Sequence, residues 1–236
     1  MATGPQRIIA MGGASVLPSS TDGPLYRYML DLTGRDRPRI CFIGTASGDD
    51  ASYRAAFYAT FARLADASHL GLFNVEVTDV EAFLLEQDII YVGGGNTANM
   101  LAVWRLHGVD KALRAAWEAG IILGGPSAGG MCWFEAGLTD SFGTQLAPLK
   151  DGLKFLDGSF CPHYDSESLR RPRYAETVGS GALQGGYAVD DSASLVFNGR
   201  QLEEVVASMP GSHAYRVERR RGNSVEETQL RARLLR

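Results

Sequence analysis

Short apolar runs alternate along the chain with longer stretches in which apolar residues recur every three or four positions. Buried parallel strands read as continuous apolar runs and their crossovers as amphipathic helices, so this alternation predicts an α/β fold. Its centre is a mostly parallel sheet flanked by helices, a three-layer αβα arrangement. Strands are expected at RIIAMGG (7–13), PRICFIGTAS (38–47), DIIYVGGG (88–95) and IILGG (121–125), and the alternating FNVEVTDV (73–80) reads as another. Helices are expected at LYRYMLDLTG (25–34), closed by Gly34, and at SYRAAFYATFARLAD (52–66). NTANMLAVWRLHGVDKALRAAWEAG (96–120) reads as two helical segments parted near Gly108, with Gly120 as a C-terminal stop. MCWFEAG (131–137) is expected as a helix, followed by a looser stretch to about Phe160. GYAVDDSASLVF (186–197) reads as a strand pair or a strand and turn, and EVVASMPGSHAYRVERRR (204–221) as a polar hairpin-like region. No repeat, low-complexity tract or linker interrupts the pattern, so residues 1–236 are expected to form a single α/β domain.

Several predicted strands end on glycine. In a parallel sheet such ends fall along one edge, where loops meet helix N-termini and ligands bind. One turn, Gly125-Pro126-Ser127-Ala128-Gly129, fits G-x-S-x-G between a strand and a helix. A nucleophile elbow needs that setting: the serine sits in a strained turn, small neighbours give clearance, and the following N–H, that of Ala128, is free for an oxyanion. The competing reading is a glycine-rich turn whose serine only caps Met131 and Cys132. A second turn, YVGGGNTANML (91–101), offers unobstructed N–H groups ahead of Asn96 and Thr97 as N-cap candidates. Its spacing is not the G-x-G-x-x-G of a dinucleotide site.

The chain has 236 residues, 45% apolar and 21% charged, with a net charge of −4. Such a balance, with no basic run beyond Arg219-Arg220-Arg221, points away from nucleic acid or an anionic membrane and toward a small partner. The opening MATGPQRIIAMGG lacks a basic segment followed by a long apolar stretch, and no run reaches the ~18 apolar residues of a membrane span, so a cytoplasmic location is expected. Cys41, Cys132 and Cys161 stand in apolar surroundings without CxxC spacing and read as core thiols, not a disulfide framework or a zinc site.

A serine nucleophile needs a base. His69 and His107 lie on or just after helical segments, and His213 lies in a polar turn. His163, in SFCPHYDSE, begins a loop where a strand would end and is the better placed. An acid must then orient it, and Asp190-Asp191 stand at a strand-to-turn junction downstream, where paired acids are also often solvated caps.

VGGGNT, GGPSAGGM, CPHYDSE and VDDSASL, in that order, together with IIAMGGAS and ICFIGTAS at the first two strands, resemble the peptidase E family of serine peptidases, which also includes cyanophycinases. The resemblance spans nearly the whole chain and implies a class I glutamine amidotransferase-like fold with serine at the elbow. By position it implies Ser127 as nucleophile, His163 as general base and Asp191 as the orienting acid, where several relatives have glutamate; Asp190 and Asp140 are lesser acid candidates. It also implies an oxyanion hole from the N–H groups of Gly95 and Ala128. Asn96, Arg170 and Arg173 are implied as substrate contacts, the arginines for a carboxylate; a solvated basic segment is the alternative. The expected reaction is hydrolysis of short peptides, first of all Asp-Xaa dipeptides, through an acyl-enzyme and without metal or cofactor. A cyanophycinase-like exopeptidase acting on β-aspartyl-arginine is second, and a non-catalytic amidotransferase-like binding domain third. The expected partner is a small peptide, with the chain a monomer or homodimer.

Overall fold

The computed structural model describes residues 4–15, 17 and 20–236, so the first three positions of the opening segment lie outside the described residues. The strands, in chain order, are β1 (Arg7–Met11), β2 (Arg39–Ile43), β3 (Asp66–Leu70), β4 (Ile89–Val92), β5 (Ile122–Pro126), β6 (Phe134–Thr139), β7 (Ala147–Leu149), β8 (Leu156–Cys161), β9 (Gly186–Val189), β10 (Ala193–Asn198), β11 (Gln201–Ala207), β12 (Ala214–Arg219), β13 (Val225–Leu230) and β14 (Arg233–Leu234). The helices are α1 (Gly23–Asp31), α2 (Ala51–Phe61), α3 (Val80–Leu85), α4 (Thr97–His107), α5 (Val109–Glu118), α6 (Ala128–Met131) and α7 (Arg170–Gly179), with a 3-10 turn at Thr45–Ser47.

The strands form two sheets, an eight-stranded one ordered β14-β11-β10-β1-β5-β4-β2-β3 and a six-stranded one ordered β13-β12-β9-β8-β6-β7. In the larger, β1, β5, β4, β2 and β3 run parallel while β10 joins β1 antiparallel. Period-two alternation divides their side chains between two cores. Ile9, Met11, Ile40, Phe42, Ile89 and Tyr91 face α1 and α2, whereas Ile8, Ala10, Cys41, Ile43, Ile90 and Val92 face α4 and α5. This gives the three layers. On the first face Phe42 and Phe57 stack at 5.0 Å, and Tyr26 meets Phe61 edge-on at 5.3 Å. Burying each such ring contributes roughly 1.5–3 kcal/mol. The second core continues into the smaller sheet through Phe134, Phe155, Leu156 and Phe160, and α7 covers that sheet's far face with Tyr174 and Val178.

Helix ends follow local chemistry. Asp50 caps α2 by accepting the Tyr53 N–H at 2.8 Å, worth about 1 kcal/mol. Gly108, at φ 72°, ends α4 and lets α5 begin at once.

Four expectations need correction. FNVEVTDV is not a strand: Phe73 and Val75 are exposed and Asp49 Oδ2 accepts the N–H groups of Leu72 and Phe73, so the alternation has no core to face. The edge strand is instead the polar DASHL of β3, which carries His69 and is a strand because β2 pairs with it. MCWFEAG is not a helix: α6 stops at Met131 and the chain turns into β6, buried on both sides so that no periodicity marks it. The looser stretch holds β7 and most of β8, and the expected terminal hairpin is divided, β11 entering the larger sheet and β12 the smaller.

Candidate active site

Parallel strands place their carboxyl ends on one edge, and the end of β1 is the common anchor there. The Ser127 N–H donates to Met11 O at 3.1 Å. Gly12 N–H donates to Ala193 O at 3.0 Å and Gly13 O accepts the Ser192 N–H at 2.8 Å, while Gly13 and Asp191 form a parallel bridge. The last residue of β1, Met11, and the two glycines after it therefore bring together the turn after β5 and the turn between β9 and β10. The approach is too close for side chains: a Cβ on Gly12 would lie 2.7 Å from Val189 C. His163 follows β8, and its loop is tied to β9 by Tyr164 N–H donating to Val189 O at 3.2 Å.

Ser127 has φ 54° and ψ −112°, outside the ordinary regions for a residue with a side chain, and makes no side-chain capping bond. Its carbonyl, not its hydroxyl, accepts the N–H groups of Gly130 and Met131. A strained serine whose hydroxyl is not used for capping is a cost of order 1–3 kcal/mol kept by the surrounding fold. Clearance comes from Gly125, at φ 153°, and Gly129, where a Cβ would lie 2.9 Å and 2.8 Å from Val92 C. The N–H groups of Ala128 and Gly95 donate to no other group among the described residues. Gly95, at φ 135°, lies against Ala46, whose carbonyl carbon would be 2.6 Å from a Cβ there.

His163 Nδ1 stands 2.7 Å from Asp191 Oδ1. Burial acts to raise the Asp191 carboxyl, but hydrogen bonds from His163 and Ser166 and the charges of His163 and Arg170 outweigh it and hold the group below its usual value. Asp191 N–H donates in turn to Asp165 Oδ1 at 2.8 Å. Asp190 points elsewhere: it is 3% exposed, its Oδ2 accepts the His213 N–H at 2.8 Å, and burial pushes it up to about 6. No hydrogen bond joins the Ser127 hydroxyl to His163 among the described residues, and such contacts are often loose before substrate binds.

The remaining residues singled out from the sequence have partners of their own. Asn96 caps α4, accepting the Asn99 N–H at 2.9 Å and donating Nδ2 to Ser141 O at 3.0 Å. Arg170 is buried, with Nε on Glu167 at 2.7 Å, Nη1 on Leu138 O at 2.8 Å and Nη2 4.0 Å from the exposed Asp140. Arg173 turns to Glu176 at 2.6 Å. His69 bonds the Tyr58 phenol at 2.8 Å on β3. The three cysteines are buried free thiols; burial pushes Cys41 up to about 12. No cluster of three metal-ligating side chains occurs among the described residues, and no helix among them is long and apolar enough to cross a membrane.

Sequence reasoning missed Gly13, Tyr53 and Asp165. Gly13 was visible only as one of two glycines ending a strand, and Asp165 only as part of CPHYDSE. The polar C-terminal stretch forms β13, and its Glu227 accepts the Tyr164 hydroxyl at 2.6 Å, bracing the residue next to His163.

Residues 8–205 match the family model described as Peptidase family S51. A Bacillus subtilis (strain 168) protein named uncharacterized peptidase YgaJ is 48% identical over 213 residues, 90% of this chain and 92% of that one. Among crystal structures, a peptidase from an acI-B1 Actinobacterium aligns with TM-score 0.73 at 15% identity, over 98% of this chain and 96% of that one. A Listeria monocytogenes EGD-e structure described as a candidate peptidase E aligns with TM-score 0.62 at 19% identity, over 85% and 96%. The two structures share the fold, and the family match and the Bacillus relative carry the assignment: the chain belongs to peptidase family S51, the peptidase E family, and is a serine-type peptidase.

Proposed function

We propose that the chain hydrolyses short peptides, with Asp-Xaa dipeptides as its substrates, through Ser127, His163 and Asp191. The observation that carries this reading is the 2.7 Å His163–Asp191 contact anchored to the same strand end as the strained Ser127. With Nδ1–H donated to Asp191, His163 Nε2 keeps the lone pair that accepts the Ser127 proton as its oxygen attacks the peptide carbonyl. The tetrahedral oxyanion is taken up by the free N–H groups of Gly95 and Ala128. The imidazolium, stabilised by the ionised Asp191, then protonates the leaving amine, and water attacks the acyl-serine with His163 again as base.

For the substrate's aspartate side chain we assign Arg170. Its Nε and Nη1 are closed by short bonds, but among the described residues Nη2 meets only Asp140, at 4.0 Å. Arg173 is engaged by Glu176 and receives no role.

The test is fluorophosphonate labelling with peptide mapping, alongside turnover of Asp-Xaa, Asn-Xaa and Leu-Xaa dipeptides and β-aspartyl-arginine. Labelling at Ser127 and preference for Asp-Xaa are expected. Folded protein that fails to label overturns the nucleophile, and turnover of β-aspartyl-arginine alone overturns the substrate.

A further inference from the structure

The amide that the proposed mechanism uses on the β4 side lies between Gly94 and Gly95, and a glycine pair has no side chain to hold its own peptide planes. The neighbouring planes are tied down on both sides. Gly94 N–H donates to the Tyr53 phenol oxygen at 3.2 Å. Asn96 N–H donates to Ala46 O at 2.8 Å. Between these two anchors Gly95 N–H is left without a partner among the described residues.

Tyr53 is built for this contact. It stands in the first turn of α2, where Asp50 receives its N–H, and its ring lies 5.1 Å from that of Phe42. A Cβ on Gly93 would come within 3.0 Å of its Cε1, so the ring rests directly on the glycine turn. Burial raises the phenol above its ordinary pKa, and it meets the turn as a neutral hydroxyl.

We infer that Tyr53 is a positioning residue for the oxyanion hole: by accepting the Gly94 N–H it fixes the Gly93–Gly94 peptide plane, which together with the Asn96 anchor limits rotation of the Gly94–Gly95 amide between them and aims Gly95 N–H at the reacting carbonyl. The inference rests on the reading of Ser127 as nucleophile and Gly95 as oxyanion donor. Deleting such a donor costs about 10²–10³ in kcat. Removing the phenol leaves the donor in place and the Asn96 anchor intact, so it restores only part of one residue's backbone freedom. The expected loss is about 10-fold in kcat, with KM within about twofold.

The experiment compares Tyr53→Phe, which keeps the ring, with Tyr58→Phe, which removes a phenol from the same helix where it bonds His69 at 2.8 Å instead of the turn, and with Ser127→Ala. The readouts are kcat and KM on an Asp-Xaa dipeptide, the inhibition constant of a peptide boronic acid whose serine adduct presents an oxyanion, and amide exchange of the 92–97 peptide. Tyr53→Phe is expected to lose the same factor in kcat and in boronic acid affinity and to exchange faster in that peptide, while Tyr58→Phe changes none of these. The exchange readout stands whether or not the variant is active. Unchanged exchange, or a boronic acid affinity equal to wild type, overturns the inference. A dead Ser127→Ala beside a fully active Tyr53→Phe overturns this inference alone, whereas an active Ser127→Ala overturns the nucleophile assignment and the inference with it.

Discussion

Replacing Gly13 by alanine perturbs the site at its tightest point. Gly13 does not have a left-handed φ, so its φ does not by itself exclude alanine. The obstacle is the catalytic pair that we assign: a Cβ would stand 2.7 Å from His163 Nδ1 and 2.8 Å from Asp191 Cγ, and nearer still to Asp191 Oδ1. The first two separations fall short by roughly 0.7–0.8 Å of the ~3.5 Å at which non-bonded heavy atoms rest, and the third by more. Both partners of a 2.7 Å hydrogen bond must therefore retreat from one point between them. The bond then lengthens or bends beyond the range in which it orients the ring. Loss of the acid in comparable triads costs about 10⁴ in kcat. For an acid displaced but still present, we expect about 10³, equivalent to ~4 kcal/mol of transition-state stabilisation. The assay is kcat and KM on an Asp-Xaa dipeptide together with the rate of fluorophosphonate labelling, with the thermal midpoint as a control for folding. A folded Gly13→Ala enzyme within about threefold of wild-type kcat would refute the claim that the His163–Asp191 contact orients the base.

His163→Ala is expected to lower kcat by several orders of magnitude while His213→Ala leaves it near wild type, because Asp190 is engaged by the His213 backbone and not its ring; equal losses in steady-state assays would undo the choice of base. Burial pushes Asp190 up to about 6 from an ordinary 3.8, only partly offset by the His213 N–H. Its contribution to stability is thus complete below about pH 3.8 and lost as pH rises through about 6. Asp190→Asn should flatten that decline, which urea midpoints at about pH 4, 5, 6 and 7 will show; parallel curves for the two proteins would contradict it.

The parts of the fold read correctly from sequence share one physical property: their side chains are sorted by burial along the chain itself. Ile89–Val92 and Ile122–Pro126 are apolar throughout because helices cover both faces, and α2 and α5 carry their apolar residues at helical steps. The misread parts depend on a neighbour. Asp66–Leu70 is polar and becomes a strand only through β2, whereas Phe73–Val80 alternates with nothing to bury against. Phe134–Thr139 is enclosed between Phe160 and Phe197 on one side and the Cys161 cluster on the other, which erases the period that would have marked it.

The candidate site divides in the same way. Local chemistry marks Ser127 with its flanking glycines and the Gly93-Gly94-Gly95 turn, because a strained elbow and a bare amide each need particular residues next to one another in the chain. Sequence alone left Asp190 and Asp191 as alternatives, being adjacent and alike. The close approach of β1 to the β9–β10 turn separates them, directing Asp191 to His163 and Asp190 to His213. It is also tertiary packing that gives Gly13, Tyr53 and Asp165 their contacts, since each meets the site across 26 or more residues of chain. A chain can encode by itself which residues tolerate strain or burial, but which polar groups meet is decided only when separate strand ends are brought to one edge.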